Sequence, residues 1–557
     1  MKNVYLIFYL LIASSITQAQ NCGCHLTISK SGYYDISKTT IKPGHKICIA
    51  AGEYSYLILH NIRGATDAPV TVTNCGGVVR FTSFDQKSKY SGIEIRNGNC
   101  VKLSGKGVTS INYGFKVEST APLVSAVTAS QLSSEIEIEN IEVAYAGFAG
   151  IVAKTDPTCD PATWRENFTM RNVSIHNNYI HNTYGEGIYA GNSFYEGMVR
   201  KCNGIDMKVY PHNIYGLKIY NNTITDTGAE GLQYACAPDA EVHHNTIRNA
   251  GLTPFALYQS NGLQVGGGGG GSVYNNIIEN AQATGIIIIG YTGNNKIYNN
   301  LIIEPKESGI LCDNRAPTAP NTTILFANNT IVKPGIDGFR LYNEVSQNWL
   351  ANNAIIQPKI AGAYITLLKD KGVVIVPVTE QNNFKTALDP AVFFVNPSGG
   401  DYRVRSGSVL TDTGMDMGSQ GVISDLWDGN RPIKNKFDIG AVEYGNIYRR
   451  STNTRAGFGD NSKEDGVELP QQTPDVEQLL VTYPNPTAGI LKFSLMDSQI
   501  PQTVELFSLN GDNLLNGFRT ESTGEYFIDL KEFSKGVYLL KVTTATGTQV
   551  TKKVIKE

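Results

Sequence analysis

Between residues 172 and 362 one short pattern returns seven times, and it limits the fold more than any other feature of the chain. It reads apolar, any residue, Asn, Asn, any residue, apolar. Nine residues after the second Asn come a Gly and another apolar residue. The second Asn falls at Asn178, Asn222, Asn245, Asn276, Asn300, Asn329 and Asn353. The Gly falls at Gly187, Gly231, Gly285, Gly309, Gly338 and Gly362, and the third copy delays it to Gly262. A weaker earlier copy has Ile141 in the Asn place and Gly150 after it. Successive Asn are 44, 23, 31, 24, 29 and 24 residues apart, which makes a unit of about 23 residues with insertions. A repeat of this length builds a solenoid.

The period inside the unit says which kind. Val173-Ser174-Ile175, Leu217-Lys218-Ile219 and Lys296-Ile297-Tyr298 alternate apolar and polar, as strands do. No unit has room for the ten or more residues of helical periodicity that a helical repeat needs. Each unit therefore offers three short strands: before the Asn pair, after it, and at the Gly. Coils stacked about 4.8 Å apart bring equivalent residues directly above one another. Asn tolerates the left-handed backbone of a tight turn, and its amide can bond the amides above and below. The chain is thus expected to be all-β, a right-handed parallel β-helix with an internal Asn ladder.

The residues before and after the repeat divide the chain further. Lys2, the apolar run 4–13 and Thr17-Gln18-Ala19 read as a secretory signal over 1–19, too short to span a bilayer. A formal charge of −3 gives no electrostatic reason to expect nucleic acid as a partner, and none is expected. Nine Cys in an exported chain favour disulfides, with at least one thiol left over. Cys22, Cys24, Cys48, Cys75 and Cys100 are placed to staple an N-terminal cap. A pair among Cys159, Cys202 and Cys236 could tie adjacent loops, and Cys312 fits the core. Cap and first coils are assigned to 20–130, main coils to 131–365, last coils and a cap to 366–445, and a polar linker to 446–477.

Three stretches resemble known families. Pro43-Gly44, Gly52-Glu53-Tyr54 and Pro69-Val70-Thr71 resemble the first coils of extracellular polysaccharide lyases and related β-helix proteins. Asn396 to Tyr444, with Asp428-Gly429-Asn430-Arg431-Pro432 and Asp438-Ile439-Gly440-Ala441, looks like the C-terminal end of bacterial β-helix proteins. Its Asp and Arg are read as parts of a cap that closes the open coil edge. Residues 478–557 carry Tyr483-Pro484-Asn485-Pro486, Asn510-Gly511 and Gly536-Val537-Tyr538-Leu539-Leu540-Lys541-Val542. They resemble the C-terminal sorting domain of the type IX secretion system, which implies a small β-sandwich, recognition by that machinery, and a secreted or cell-surface destination.

A site is sought among outward positions. His176, Tyr220, His243, Tyr274 and Tyr298 should form an external aromatic stack, read first as self-stacking and second as a sugar platform. On the third strand the outward series is Val152, Tyr189, Gln233, Gln264, Ile287, Leu311 and Arg340, with Glu186, Glu230 and Asn261 just before the Gly. The polar part falls on the coils that carry the insertions 154–171, 191–213 and 252–259, and long loops on a rigid scaffold concentrate function. Glu186 and Glu230, one coil apart, would share a proton as the acid of a glycosidase, or bridge a Ca²⁺ as a lyase might require, or stand solvated in an edge turn. Lys201 and His212 are candidates for general base or substrate clamp, and Tyr189, Gln233, Gln264, Trp164 and Arg200 for substrate contacts. The sequence lacks the Arg-x-Pro-x-x-Arg of pectate lyases, the Asp-Pro-His-Asp of alginate epimerases and the Gly-x-Asp-Gly of pectin hydrolases, so no residue takes a role by family. The expected partner is a polysaccharide, acted on by a lyase-like or hydrolase-like monomer, with non-catalytic glycan binding or adhesion as the alternative.

Overall fold

The computed structural model describes residues 22–446 apart from 83–88, 257, 314, 316–317, 368–375 and 434–435. It also describes 480–557 apart from 484–486, 496–500, 509–512, 518, 521–525 and 545–548. The expected signal segment and most of the linker lie outside the described residues. In the first unit each repeat coil supplies three strands, as in Ser174–His176, Tyr179–His181 and Ile188–Ala190. Among the described residues, 23 strands form one parallel sheet from the first two positions, and 12 strands form a second from the third. Register is kept residue for residue, with Ile175 beside Ile219, Ile219 beside Val242 and Val242 beside Val273. These apolar residues are fully buried in one continuous core.

The two Asn of each pair divide the work. The first takes the left-handed backbone, with φ between 52° and 56° at Asn177, Asn221, Asn275, Asn299, Asn328 and Asn352, and at His244 in the third coil. The second is buried and builds the ladder. Asn222 donates from its backbone N and its Nδ2 to Asn245 Oδ1, at 3.1 and 3.0 Å. The same two bonds join every neighbouring pair from Asn178 to Asn353. The row outruns the repeat: Asn353 bonds Asn383 in the same way, and Ile141 N donates to Asn178 Oδ1.

The recurrent Gly is demanded by the next coil. A Cβ at Gly187 would stand 2.4 Å from both Gly231 O and Ile224 Cγ2, and at Gly285 2.5 Å from Ile302 Cγ2. The Ile after each Asn pair thus fills the space its neighbour's Gly leaves. Gly362 does not continue this row. Phe339 pairs with Ile365, so Tyr364 takes the place beside Gly338, and Gly362 forms a left-handed turn two residues earlier.

The aromatic stack is present, with ring centroids 4.5, 5.1, 4.7 and 4.8 Å apart from His176 to Tyr298. Its far end is covered by protein. Tyr298 packs against a cluster that includes Met417, Val422 and Phe437, which supports the self-stacking reading over a sugar platform. The segment that covers it does more than close the last coil: it runs back along the flank. There it meets the outward Asn row, accepting from Asn275 at Asp428 Oδ1, Asn299 at Ser424 O, Asn328 at Asp438 O, Asn352 at Met415 O and Asn382 at Thr413 O. Its own charges are structural. Buried Arg431 donates to Asp438 O and Gly440 O, each at 3.0 Å, and lies 3.4 Å from Glu443.

Cys22–Cys75 and Cys24–Cys48 staple the first coils, and Cys159–Cys202 ties two insertions. Cys100, Cys236 and Cys312 are free and buried, so Cys100 is no part of the staple. The C-terminal unit is separate. Its described strands form two four-stranded antiparallel sheets. One core of Leu491, Phe493, Leu506, Leu540, Val542 and Val554 joins them, as in a β-sandwich.

Candidate functional site

The outer face of the 12-stranded sheet carries one row in strict register: Glu94, Thr128, Val152, Tyr189, Gln233, Gln264, Ile287, Leu311 and Arg340. Polarity is therefore not confined to the three coils with insertions. It extends N-terminally to Glu94, and it returns at Arg340, which donates to buried Asp337 at 2.8 Å.

Glu186 and Glu230 occupy adjacent coils just before the strand, fixed by Gly187 N donating to Glu230 O. They are not solvated: Glu186 is 2% exposed and Glu230 fully buried. The neighbouring loop is tied to the Glu230 coil. Leu252 N and Thr253 N donate to Thr227 O and Gly228 O, while Phe255 reaches the ring of Phe148 at 5.8 Å, beyond both Glu coils. Asn261 Nδ2 donates to Glu230 Oε1 at 3.3 Å. Glu186 Oε2, Glu230 Oε2 and Gln233 Oε1 are buried without a hydrogen-bond partner. Burial, reinforced by the charge of Glu186, pushes the Glu230 carboxyl up to about 8, so it holds a proton at neutral pH. Burial raises Glu186 as well, against the pull of Lys154.

Lys154 escaped the sequence reading. Its ammonium lies 4.5 Å above the Tyr189 ring and 3.1 Å from Asp156. Burial pulls it down, but Tyr189, Asp156 and Glu186 outweigh that and hold it above its ordinary value. Alternation along Ile151–Ala153, continued by one residue, would have found it, because Val152 and Lys154 share the outward face. Ser193 was missed too: its Oγ takes a hydrogen bond from Gln233 Nε2 at 2.6 Å and lies 2.8 Å from Tyr189 Oη.

The remaining candidates are placed elsewhere. His212 is buried, its Nε2 accepting from Thr155 N at 2.9 Å and its Nδ1–H donating to Asn213 O, with Phe168 edge-on at 4.8 Å. Burial depresses it to about 4. With both nitrogens engaged it joins two insertions and is not free to act as a base. Lys201 and Arg200 stand exposed on the hairpin Met198–Cys202 and Ile205–Val209, where Arg200 Nε donates to Pro157 O. Trp164 Nε1 donates to Thr158 O at 2.7 Å within its own loop. None of these four is brought against the Glu pair. Gln264 is in the row, beside Gln233.

Glu186 and Glu230 suit a proton better than Ca²⁺. Ca²⁺ takes about six to eight oxygens, whereas three partnerless oxygens are offered here and the Lys154 ammonium already acts on Glu186. A second acidic group, Glu137, Glu139 and His176, is already neutralised by Lys102 at 2.6 and 2.9 Å and Lys106 at 3.2 Å.

Comparison with known proteins agrees with this architecture. Residues 127–263 and 198–355 match the right-handed beta helix region family, and residues 481–557 match the secretion system C-terminal sorting domain. No curated protein matches the chain. Among solved structures, pectate lyase Pel9A is 13% identical, with 76% of this chain and 98% of that one covered and a TM-score of 0.39. XylC in complex with xylose is 10% identical, covers 76% and 99%, and scores 0.43. The mannuronan C-5 epimerase AlgE4 A-module of Azotobacter vinelandii is 14% identical, covers 61% and 86%, and scores 0.37. The chain is a right-handed parallel β-helix protein that carries a type IX secretion sorting domain. Its destination is accordingly the medium or the cell surface, and its C-terminal unit is the partner of the secretion machinery.

Proposed function

We propose that this is a carbohydrate-active enzyme that cleaves a polysaccharide on the outer face of the 12-stranded sheet, acting as a monomer. The observation that carries the reading is the buried Glu186–Glu230 pair on adjacent coils, in which burial raises both carboxyls, Glu230 to about 8. Glu230 keeps a proton at neutral pH, while Lys154 favours the ionised form of Glu186. Paired carboxyl groups of unequal acidity are what glycosidic cleavage uses, one as acid and the other as base or nucleophile. Tyr189, Gln233 and Gln264 line the adjacent row and offer directional hydrogen bonds to sugar hydroxyls. Similar folds include a pectate lyase and an epimerase by name, which fits a glycan partner but sets no residue role.

A second reading, glycan binding without catalysis, is favoured by one observation: both acids are almost wholly buried. One experiment separates the readings. The full chain is incubated with alginate, polygalacturonate and xylan. New reducing ends without ultraviolet absorbance are expected. Unsaturated, absorbing products would instead make it a lyase, and retained binding without any product would make it a binding module.

A further inference from the structure

The outer row of the 12-stranded sheet continues past Val152 into a cluster that the Glu pair does not use. Tyr33 Oη lies 2.6 Å from His60 Nδ1, and His60 stands in register with Arg96. Arg96 Nη2 donates to Glu94 Oε2 at 2.7 Å, and Ser130 Oγ donates to Glu94 Oε1 at 2.8 Å. The Arg96 guanidinium carbon stands 6.0 Å from the centroid of the Tyr90 ring, which lies 4.7 Å from that of Tyr56. Tyr33 and Tyr90 are among the exposed large side chains, at 52% and 43%.

Two polar atoms in this floor are left over. Arg96 Nε and Thr128 Oγ1 are both buried and have no hydrogen-bond partner. A buried donor without an acceptor is costly, the more so beside a charge, so the pattern calls for an occupant with an oxygen to offer. Aromatic rings on either side of a polar floor suit a flat molecule with one apolar face and polar edges. A pyranose ring has that form, laying its C–H face on Tyr and turning its oxygens to the floor. With Glu94 answering Arg96, the floor is close to neutral and does not itself demand an anion.

We infer that Tyr33, His60, Tyr90 and Arg96 form a second glycan-binding site, which accepts a sugar oxygen, hydroxyl or carboxylate, on Arg96 Nε–H. The inference rests on the polysaccharide reading above. Three coils separate Glu94 from Tyr189 in the same row, about 14 Å at the strand spacing. A single polysaccharide chain lying across the coils can therefore touch both sites, whereas one sugar cannot. The second site should raise affinity for long chains and leave short oligosaccharides unaffected.

The test is affinity electrophoresis of the full chain through gels containing alginate, polygalacturonate or xylan, with Arg96→Met, Tyr33→Ala and Glu230→Gln run beside it. The native protein should be retarded in at least one gel, and that gel tells whether the oxygen is a carboxylate or a hydroxyl. Arg96→Met should weaken retardation about tenfold, the loss of one charge-assisted hydrogen bond. Tyr33→Ala, an exposed change that leaves the fold intact, should weaken it in the same gel, while Glu230→Gln retains it. Native retardation with both Arg96→Met and Tyr33→Ala unchanged overturns the second site alone. No retardation of the native protein in any gel overturns the polysaccharide reading beneath it.

Discussion

Glu230→Gln is the most informative single change, because it alters chemistry and stability in opposite directions. The carboxyl is fully buried and its pKa is raised from 4.5 to about 8, chiefly by burial. A shift of this size corresponds to on the order of 5 kcal/mol at 1.36 kcal/mol per unit. The stability that accompanies the bound proton is fully present below pH 4.5 and is lost as pH rises through 8, because the unfolded chain ionises first. Gln keeps the shape and cannot ionise, so it removes this slope. Its amide adds donors, one of which can meet the partnerless Glu186 Oε2, and an unmet one costs about 1–3 kcal/mol. The variant should therefore melt at or below the native protein at pH 5 and above it at pH 8. Activity at pH 7 should fall at least about tenfold, since a positioned general acid contributes roughly 10²–10⁴. Calorimetry across pH 4–9 and a reducing-end assay read the two effects. Parallel melting curves, with activity unchanged, would refute the buried-acid argument.

Other consequences can be checked directly. Asn276→Ala removes the acceptor for Asn245 N and Nδ2 and the Nδ2 donor to Asn300 Oδ1, and should cost about 3 kcal/mol or more in urea unfolding. Asn275→Gly keeps the left-handed turn and loses the Nδ2 bonds to Asp428 and His244, so about 1–2 kcal/mol is expected. Replacing Cys159 and Cys202 by Ser opens a loop with a sequence separation of 43, which the chain-entropy account values at about 4 kcal/mol; limited proteolysis should then cut within 154–171 or 191–213. Deleting 479–557 should hold the protein in the periplasm with its β-helix folded, read by cell fractionation; normal arrival at the surface would contradict the sorting role of that unit.

The sequence by itself determined the solenoid. A ladder needs the same residue at the same phase in every coil, so Asn178 to Asn353 and the Ile after each pair had to recur in the chain, where they can be counted. The sorting domain was legible for a similar reason, being a compact run of local motifs. Tertiary structure alone decided what each repeated residue does. Both Asn of a pair look alike in sequence, yet one bends the backbone and meets the returning C-terminal segment, while the other is sealed in the core. The site divided in the same way. Tyr189, Gln233, Glu186 and Glu230 follow from strand alternation, and the structure keeps them together. Lys201 and His212 sit on insertions whose paths are set by Cys159–Cys202, by the rings around Arg165 and by the bond from Thr155 N to His212. No period in the chain encodes those contacts. The burial that raises Glu230, like the contact of Phe255 with Phe148, joins residues far apart in sequence and exists only in the folded chain.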